Sequence, residues 1–261
     1  MSINEVKSMF AGASCDILPV LLEKFAHDER AGVKKLVESY NLRYNRYILE
    51  NERLNRLISF DMGFDRVYGT ICGVDEAGAG PLAGPVCAAA VVMPLGYSVI
   101  NGVDDSKKLT ADNREELREK ILSVAIRWNV VFVDNKEIDE INILQARLKA
   151  MRLAVDGLEP RVCFSLVDGN VSIGEGIPCA LVEKGDSRSY HIACASILAK
   201  VVRDEVMAGY HELYPQYGFD KHKGYGTKAH FAAIAEHGIS PIHRRSFVGT
   251  DALGRPSHTL K

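Results

Sequence analysis

Two adjacent acidic residues stand where an apolar stretch of the chain runs into a series of glycines and prolines. Asp75 and Glu76 follow the apolar stretch 67–74 (VYGTICGV), and the glycine-rich segment 77–85 separates them from a second apolar stretch, 86–93 (VCAAAVVM). Short apolar stretches bounded by glycine and proline are typical of buried strands. The pattern predicts a pair of hairpin strands, the first of which carries two carboxylates at its end.

Carboxylates at the end of a buried strand are energetically costly, because they repel each other and lose their hydration. We therefore expect Asp75 and Glu76 to hold something positive, most simply a divalent metal ion. Asp168 ends another apolar stretch, and Asp186 directly precedes a long helical pattern. Together the four acids fit Mg²⁺ or Mn²⁺, which prefer oxygen ligands. Taken singly, a solvated pair at a strand end, a turn-forming Asp168 and a helix-capping Asp186 remain alternatives.

Three further acids are set aside by their positions. Asp204 lies eighteen residues beyond Asp186, which is about 27 Å along a helix, so it belongs to the other end of that helix. Asp104 and Asp105 begin a polar loop, where a solvated or phosphate-adjacent structural role is favoured over metal binding.

The glycine series also invites comparison with a dinucleotide-binding loop, in which a glycine-rich turn follows a strand. Gly78, Gly80 and Gly84 do not have the spacing of that motif, which must open a helix that holds a pyrophosphate. Instead, Pro81 and Pro85 bracket a short connection into a β-like stretch. A cofactor-binding domain is therefore disfavoured.

Residues 1–66 differ in pattern from the rest of the chain. Helical periodicity over 33–60 predicts a small helical N-terminal extension. Between Glu29 and Arg56 seven basic residues outnumber four acidic ones. A solvated helix face and a binding surface both fit this excess of positive charge.

Residues 67–261 predict one catalytic domain of α/β type, in which helices pack on a central sheet. Thr110 is positioned to cap the first of its helices. Beyond the two hairpin strands, the expected helices cover 111–127, 141–158 and 189–214, and the expected strands cover 128–134, 161–169 and 178–185.

Composition limits the partners and the location of the chain. A formal charge of −2 means that affinity for nucleic acid must come from local basic patches. No apolar stretch approaches the roughly 20 residues of a membrane-spanning helix, and residues 1–10 lack the order of a secretory signal, so we expect a cytoplasmic protein without a membrane partner. The six cysteines form no C-x-x-C pair, and five lie in apolar stretches, which favours buried free thiols.

A series of ordered motifs resembles the bacterial type 2 ribonucleases H, also called ribonucleases HII. The motifs are DEAGAGPLAGPV, DDSKKL, INIL, LVDG, KGD, IACASILAKVVRD, YPQYGFDKHKGYGTKAH and HRRSF, and they span about residues 73–247. The N-terminal extension resembles that of the longer family members from Gram-positive bacteria. The resemblance implies a ribonuclease H-like mixed sheet with flanking helices.

The resemblance also implies an activity. By position, it makes the four acids the ligands of two divalent ions, Mg²⁺ or Mn²⁺, in a phosphodiester hydrolase. Such an enzyme cuts the RNA strand of RNA–DNA hybrids and nicks duplex DNA on the 5′ side of embedded ribonucleotides, leaving 5′-phosphate and 3′-hydroxyl ends. A monomer is expected.

Substrate contacts are carried over from the family in the same way. The turn Gly78, Ala79 and Gly80 matches the one that contacts the ribonucleotide 2′-hydroxyl through backbone groups. Tyr225 matches a tyrosine that stacks on the following sugar, and Lys107 belongs to the family's Asp-Ser-Lys pattern. Contacts to phosphate are expected from further basic residues: Lys108, Lys184, Lys200, the run 221–223 and the run 243–245.

One position departs from the family pattern, because Ala79 stands where the family turn usually has arginine. If that arginine held a phosphate, a charge-assisted hydrogen bond of about 1.5 to 3 kcal/mol is lost. A catalytically weakened hybrid-binding protein is therefore one alternative function. A metal-dependent exonuclease with a similar acidic site is another.

Overall fold

The computed structural model describes residues 1–96 and 99–248. It divides into two compact units, one from Met1 to Arg56 and the other from Leu57 onward. Helix α3 (Ala31–Tyr68) contains the boundary between the two units and also the boundary predicted at residue 66. No helix among the described residues is both long enough and apolar enough to cross a membrane.

The first unit is built from α1 (Ile3–Gly12), α2 (Leu18–Phe25) and the beginning of α3. Ser2 caps α1: its hydroxyl accepts a hydrogen bond from the backbone of Glu5, whose carboxylate accepts one from the backbone of Ser2. Inside the unit, the ring of Phe10 stacks on that of Tyr40 at 4.9 Å. The unit thus has an apolar core of its own.

The second unit contains a five-stranded mixed sheet in the order β3-β2-β1-β4-β5. β1 pairs with β2 in antiparallel fashion, which confirms the predicted hairpin, and with β4 in parallel. The strands are β1 (Ile71–Ala77), β2 (Val86–Val92), β3 (Arg127–Val133), β4 (Phe164–Asp168) and β5 (Cys179–Val182).

Helices cover both faces of this sheet, as predicted. α6 lies so close to β1 that a Cβ atom on Gly73 would be 2.2 Å from the carbonyl carbon of His191. The next side chain, Val74, packs in an apolar cluster with Ala150 of α5. Because successive residues of a strand face opposite sides, α5 and α6 lie on opposite faces. The helices of this unit include α4 (Ala111–Val124), α5 (Asn135–Asp156), α6 (Tyr190–Leu213), α7 (Phe219–His222), α8 (Lys228–His237) and α9 (Arg245–Val248).

Two predicted elements begin four or more residues away from their observed starts, because 67 compares with Ile71 and 141 with Asn135. The strand expected over 67–74 begins only at Ile71, because α3 continues to Tyr68 and the Tyr68 ring stacks on Phe164 at 4.0 Å. The helix expected from residue 141 begins at Asn135, capped by Asp134. A positive φ of 68° at Asn142 interrupts its helical conformation, which explains why the sequence periodicity was visible only beyond that point.

The prediction of buried cysteines is only partly correct. Cys72, Cys87 and Cys194 are buried free thiols. Cys15 and Cys179 are half-buried, and Cys163 is exposed because it precedes β4 instead of lying in it. The apolar neighbours of a cysteine in sequence therefore did not always indicate its burial.

Candidate active site

The end of β1 presents its two acids to opposite sides of the sheet. Asp75 is buried and hydrogen-bonds the Ser196 hydroxyl on α6, while its Oδ1 accepts the backbone N–H of Glu76 at 2.7 Å. Glu76 points to α5, where its Oε1 forms an ion pair of 2.6 Å with Arg147. The alternation of a strand thus places one carboxylate against each flanking helix.

Asp168 and Asp186 reach the same edge of the sheet from neighbouring elements. β4 runs parallel to β1 with Val167 opposite Val74, so Asp168, the last residue of β4, lies beside the end of β1. Asp168 Oδ1 accepts the backbone N–H of Gly185 at 2.6 Å, which holds the 3₁₀ turn that carries Asp186 just before α6. The structure therefore brings together the four residues called here the acid cluster: Asp75, Glu76, Asp168 and Asp186.

Burial and mutual repulsion make Asp75, Glu76 and Asp186 difficult to ionise. Burial raises the pKa of Asp75 well above its ordinary value, and the charges of Glu76 and Asp168 raise it further. Burial also raises the pKa of Glu76, although Arg147 opposes the shift. The pKa of Asp186 is raised by burial and then by the nearby acids Asp105 and Asp168. A bound cation would relieve the repulsion in each case.

The donor set fits a divalent ion in its chemistry. Glu76 Oε2 is buried and has no hydrogen-bond partner in the described part of the chain, so a carboxylate oxygen is left with a free lone pair at the site. Across residues 1–96 and 99–248, no three His, Cys, Asp or Glu side chains converge as a preformed ligand cage. The acid cluster is thus a group of neighbouring hard-oxygen donors, and Mg²⁺ and Mn²⁺ are the ions that such donors suit.

Lys107 and Asp105 accompany the acid cluster. Burial would lower the pKa of Lys107, but attraction from Asp105, Asp75, Asp186 and Asp168 outweighs burial and raises it. Asp105 lies close enough to Asp186 to raise its pKa, which agrees with the phosphate-adjacent position predicted for this loop. An open cleft of about 430 Å³ is lined by Asp105, Lys107, Lys108, Asp168, Lys184, Asp186 and Ser187.

The glycine turn after β1 is held by two buried arginines. Gly78 has a φ of +91°, and a Cβ atom there would lie 2.0 Å from Nε of Arg203. The guanidinium of Arg244 donates hydrogen bonds to the carbonyls of Gly78 at 2.6 Å, Ala79 at 2.9 Å and Gly84 at 3.0 Å. Arg244 is fully buried. Its predicted role as a phosphate contact is therefore wrong, because the guanidinium is fully buried and three of its five N–H groups donate to the turn.

Tyr225 lies beside this turn. A Cβ atom on Gly80 would be 3.8 Å from the Tyr225 ring, and the backbone N–H of Leu82 donates to the carbonyl of Gly224 at 2.8 Å. The Tyr225 side chain is 44% exposed, so a large apolar face is open to a ligand. The structure thus brings the turn and the predicted tyrosine together.

The remaining predicted lysines have different surroundings. Lys108 forms an exposed ion pair with Asp104 at 3.1 Å, and Lys184 lines the cleft beside the acid cluster with an exposed side chain. Lys200 is half-buried and bonds Asp204 at 2.7 Å, in a separate groove of about 600 Å³ that Tyr225 also lines. The Lys200 ammonium could therefore contact a phosphate only while it also stays paired with Asp204.

Known sequences resemble both parts of the chain. The family profile described as Ribonuclease HII matches residues 72–250, and the profile described as Ribonuclease HII N-terminal domain matches residues 2–64. The ribonuclease HII of Clostridioides difficile (strain 630) is 43% identical over 248 residues, 95% of this chain and 97% of the relative. That of Geobacter sulfurreducens is 54% identical over 184 residues, 70% of this chain and 84% of the relative.

Solved structures share the fold. The crystal structure of ribonuclease H2 from Pyrococcus horikoshii OT3 aligns with a TM-score of 0.58 and 27% identity, covering 68% of this chain and 93% of that one. The RNase HII of Archaeoglobus fulgidus, solved as a complex with PCNA, aligns with a TM-score of 0.55 and 25% identity, covering 72% and 98%. These similarities agree with the mixed sheet and flanking helices described above.

Proposed function

Because the chain belongs to the ribonuclease HII family, we propose that the acid cluster is its catalytic centre. Family membership makes the protein a metal-dependent endoribonuclease of the ribonuclease H type 2 class, which acts on RNA–DNA hybrids. The observation that carries the proposal is the burial of Asp75 and Glu76 beside Asp168, where one oxygen of Glu76 has no hydrogen-bond partner within residues 1–96 and 99–248. Three buried carboxylates this close together repel one another, and a bound cation would stabilise their charged forms.

The proposed metal content is two ions, Mg²⁺ or Mn²⁺, held by Asp75, Glu76, Asp168 and Asp186. Bound divalent ions at such a site lower the pKa of an attacking water and stabilise the leaving 3′ oxygen. The chain's own residues set the conditions for this chemistry: Arg147 orients Glu76, the N–H of Gly185 orients Asp168, and Lys107 adds positive charge beside the acid cluster.

The proposed substrate specificity rests on the glycine turn and Tyr225. Gly78, Ala79 and Gly80 present backbone groups next to the acid cluster, where they would contact the 2′-hydroxyl that distinguishes RNA from DNA. The exposed ring of Tyr225 would stack on the adjacent sugar. This arrangement supports nicking of duplex DNA on the 5′ side of an embedded ribonucleotide, with 5′-phosphate and 3′-hydroxyl products.

The backbone of the turn is held in place despite Ala79, because Arg244 anchors it through the carbonyl of Ala79 itself. With the acid cluster complete, a non-catalytic hybrid-binding protein has no observation in its favour.

Around the cleft, Lys107, Lys108 and Lys184 are the proposed contacts to the phosphates of the cut strand, and Lys200 is a proposed contact farther along, beside Tyr225.

We further propose that the enzyme works as a monomer in the cytoplasm, where RNA–DNA hybrids and ribonucleotide-containing DNA arise. The compact second unit contains the whole acid cluster, the turn and Tyr225, so one chain supplies every proposed contact. Sedimentation of the full chain at the concentrations of an activity assay checks the monomer, and a stable dimer would contradict it.

A cleavage assay with two labelled substrates tests the activity. A DNA duplex with one central ribonucleotide is incubated with Mg²⁺ or Mn²⁺, and a continuous RNA–DNA hybrid serves as the second substrate. We expect one nick 5′ of the ribonucleotide with either end label, and internal fragments from the hybrid. Stepwise loss of nucleotides from one end would indicate an exonuclease, and binding without a nick would contradict the proposed activity.

A further inference from the structure

Three histidines lie together behind the backbone of Tyr225. The rings of His222 and His230 stack with their centroids 4.4 Å apart, and those of His230 and His243 are 5.1 Å apart. His230 and His243 are fully buried or nearly so. Since buried polar atoms need hydrogen-bond partners, the partners of each ring nitrogen determine what these histidines do.

One backbone donor fixes the protonation of His243. The N–H of Ser240 donates to Nδ1 of His243 at 2.8 Å, so Nδ1 is an acceptor, and the Ser240 hydroxyl oxygen lies 2.7 Å from the same atom. A neutral imidazole with an unprotonated Nδ1 carries its proton on Nε2. His243 is therefore a donor at Nε2.

The same reasoning fixes His230. Nε2 of His243 lies 3.0 Å from Nε2 of His230, so His243 donates and His230 accepts. The proton of His230 must then be on Nδ1, which lies 2.9 Å from the carbonyl oxygen of Tyr225 and donates to it. This series of hydrogen bonds begins at a backbone N–H and ends at a backbone C=O. Only one arrangement of protons on two neutral rings therefore makes every bond in it.

The surroundings keep both rings neutral. Burial is the main cause that lowers the pKa of His230 and His243 to about 4, and for His243 the neighbouring His230 adds to it. A second proton on either ring would set two N–H groups against each other. His222 supports the same segment, since its Nδ1 accepts the N–H of Gly224 at 3.2 Å and its Nε2 donates to the carbonyl of Tyr217 at 2.7 Å.

We propose that His230 and His243 are positioning residues, which fix the backbone of Tyr225 through a directional relay from the Ser240 N–H to the Tyr225 carbonyl. The relay determines where the exposed Tyr225 ring stands beside Gly80, and so how well the enzyme selects a ribonucleotide followed by DNA. This inference rests on the proposed contact between Tyr225 and the sugar. It assigns no part in proton transfer to either histidine.

The protonation pattern is tested first in the unmodified full-length protein. Long-range ¹H–¹⁵N correlation spectra at pH 7 distinguish the two neutral forms of imidazole and the charged form. We expect the proton of His230 on Nδ1 and that of His243 on Nε2, with signals assigned through His230→Asn and His243→Gln. A charged ring, or His230 protonated on Nε2, would overturn the relay whatever the activity.

Kinetics then test whether the relay acts through Tyr225. His230→Asn keeps a donor near the Nδ1 position, whereas His230→Gln places its amide near the Nε2 position and loses the donor to Tyr225. We expect His230→Gln to lower kcat/KM on the single-ribonucleotide duplex about 3- to 10-fold, the worth of a neutral hydrogen bond. On the continuous hybrid both variants stay within about twofold, and His230→Asn recovers most of the loss on the duplex.

The double variant Tyr225→Ala/His230→Gln separates a positioning role from a general loss of structure. We expect it to be no worse than Tyr225→Ala alone, because the relay has nothing left to position. Equal losses on both substrates, or losses that multiply in the double variant, would overturn the inference. If Tyr225→Ala itself leaves the preference between substrates unchanged, the proposed role of Tyr225 fails, and the relay's functional role fails with it, while the spectra still report on the hydrogen bonds.

Discussion

The acid cluster and the support of the glycine turn show opposite ways of burying polar groups. In the acid cluster, like charges lie together and an oxygen of Glu76 has no partner among the described residues. Behind the turn, buried Arg203 and Arg244 each donate three hydrogen bonds to backbone carbonyls. The carboxylates of the acid cluster lack enough positive charge around them, whereas the arginines behind the turn are already hydrogen-bonded to backbone carbonyls.

This difference indicates a division of labour within the catalytic unit. A buried group with all its hydrogen bonds made holds a backbone in one conformation, because any movement leaves a polar atom unpaired. A group of carboxylates that repel one another gains stability when a cation arrives. The turn support should therefore govern the stability of the fold, and the acid cluster should govern its response to metal.

The largest effect is expected at the turn, from a matched pair of glycine substitutions. Gly78→Ala places a Cβ atom on Arg203 at a φ of +91°, whereas Gly80→Ala meets only the Tyr225 ring at 3.8 Å and has no positive φ. We expect Gly78→Ala to lower the free energy of unfolding by about 3 kcal/mol or more, since strain and overpacking add. Gly80→Ala should lower it by less than about 0.5 kcal/mol. Urea unfolding of both variants measures the difference, and equal stabilities would show that the turn is not held as described.

A smaller effect is expected from the histidines behind Tyr225 as the pH falls. The folded pKa of His230 is about 4, below its ordinary value of 6.5, so the unfolded chain takes up a proton first and stability declines from pH 6.5 toward pH 4. Between pH 7 and pH 5, protonation of this histidine in the unfolded chain lowers the free energy of unfolding by about 2 kcal/mol. Over the same pH interval, the free energy of unfolding of the His230→Asn variant should therefore fall by about 2 kcal/mol less than that of the unmodified protein. A parallel decline of the two proteins would contradict a neutral buried His230.

The smallest effect is expected at the acid cluster when metal is removed. In a chelator, Asp75→Asn relieves repulsion and should raise the free energy of unfolding by about 1 kcal/mol relative to the unmodified protein. Mg²⁺ or Mn²⁺ at ten times its dissociation constant should stabilise the unmodified protein by about 1.4 kcal/mol and the variant by much less. Thermal unfolding with and without metal checks both statements. An equal metal response in the two proteins would place the ion elsewhere.

The acids and the hairpin could be predicted from sequence because local rules determine them. A charged pair that ends a short apolar stretch just before glycines and prolines is typical of a strand end, so the sequence alone predicts where Asp75 and Glu76 lie. The parallel pairing that brings Asp168 beside them was not visible in any local pattern. The sequence predicts that these acids belong together only from their positions at element ends and from the resemblance, and the register of Val74 with Val167 gives that grouping its geometric basis.

Basic and aromatic residues near the turn were harder to interpret. Sequence reasoning assigned Arg244, with its basic neighbours, to contacts with phosphate. Its partners are carbonyls of residues 78–84, more than 150 positions away, which no local pattern reveals. The same applies to His230 and His243, whose neighbours in sequence do not indicate that their rings meet.

The division between the N-terminal unit and the catalytic unit also needed the structure. Within the catalytic unit, Asp61 of α3 accepts the backbone N–H of His191 at 2.9 Å and bonds its ring at 2.8 Å. A cut at residue 66 would therefore remove a buried partner of α6. A truncation that begins at Leu57 keeps this pair, and it is the appropriate form for asking what the N-terminal unit contributes.

The most direct measurement is the nicking of a labelled DNA duplex with one ribonucleotide, compared between the unmodified protein, Asp75→Asn and Asp156→Asn. Asp156 pairs with surface arginines and serves as a matched control. We predict a metal-dependent nick 5′ of the ribonucleotide that falls at least about 100-fold in Asp75→Asn, given the barrier that bound metal ions remove, and persists in Asp156→Asn. A nick that survives in Asp75→Asn, or that needs no divalent ion, would contradict the assignment of the acid cluster as the catalytic centre.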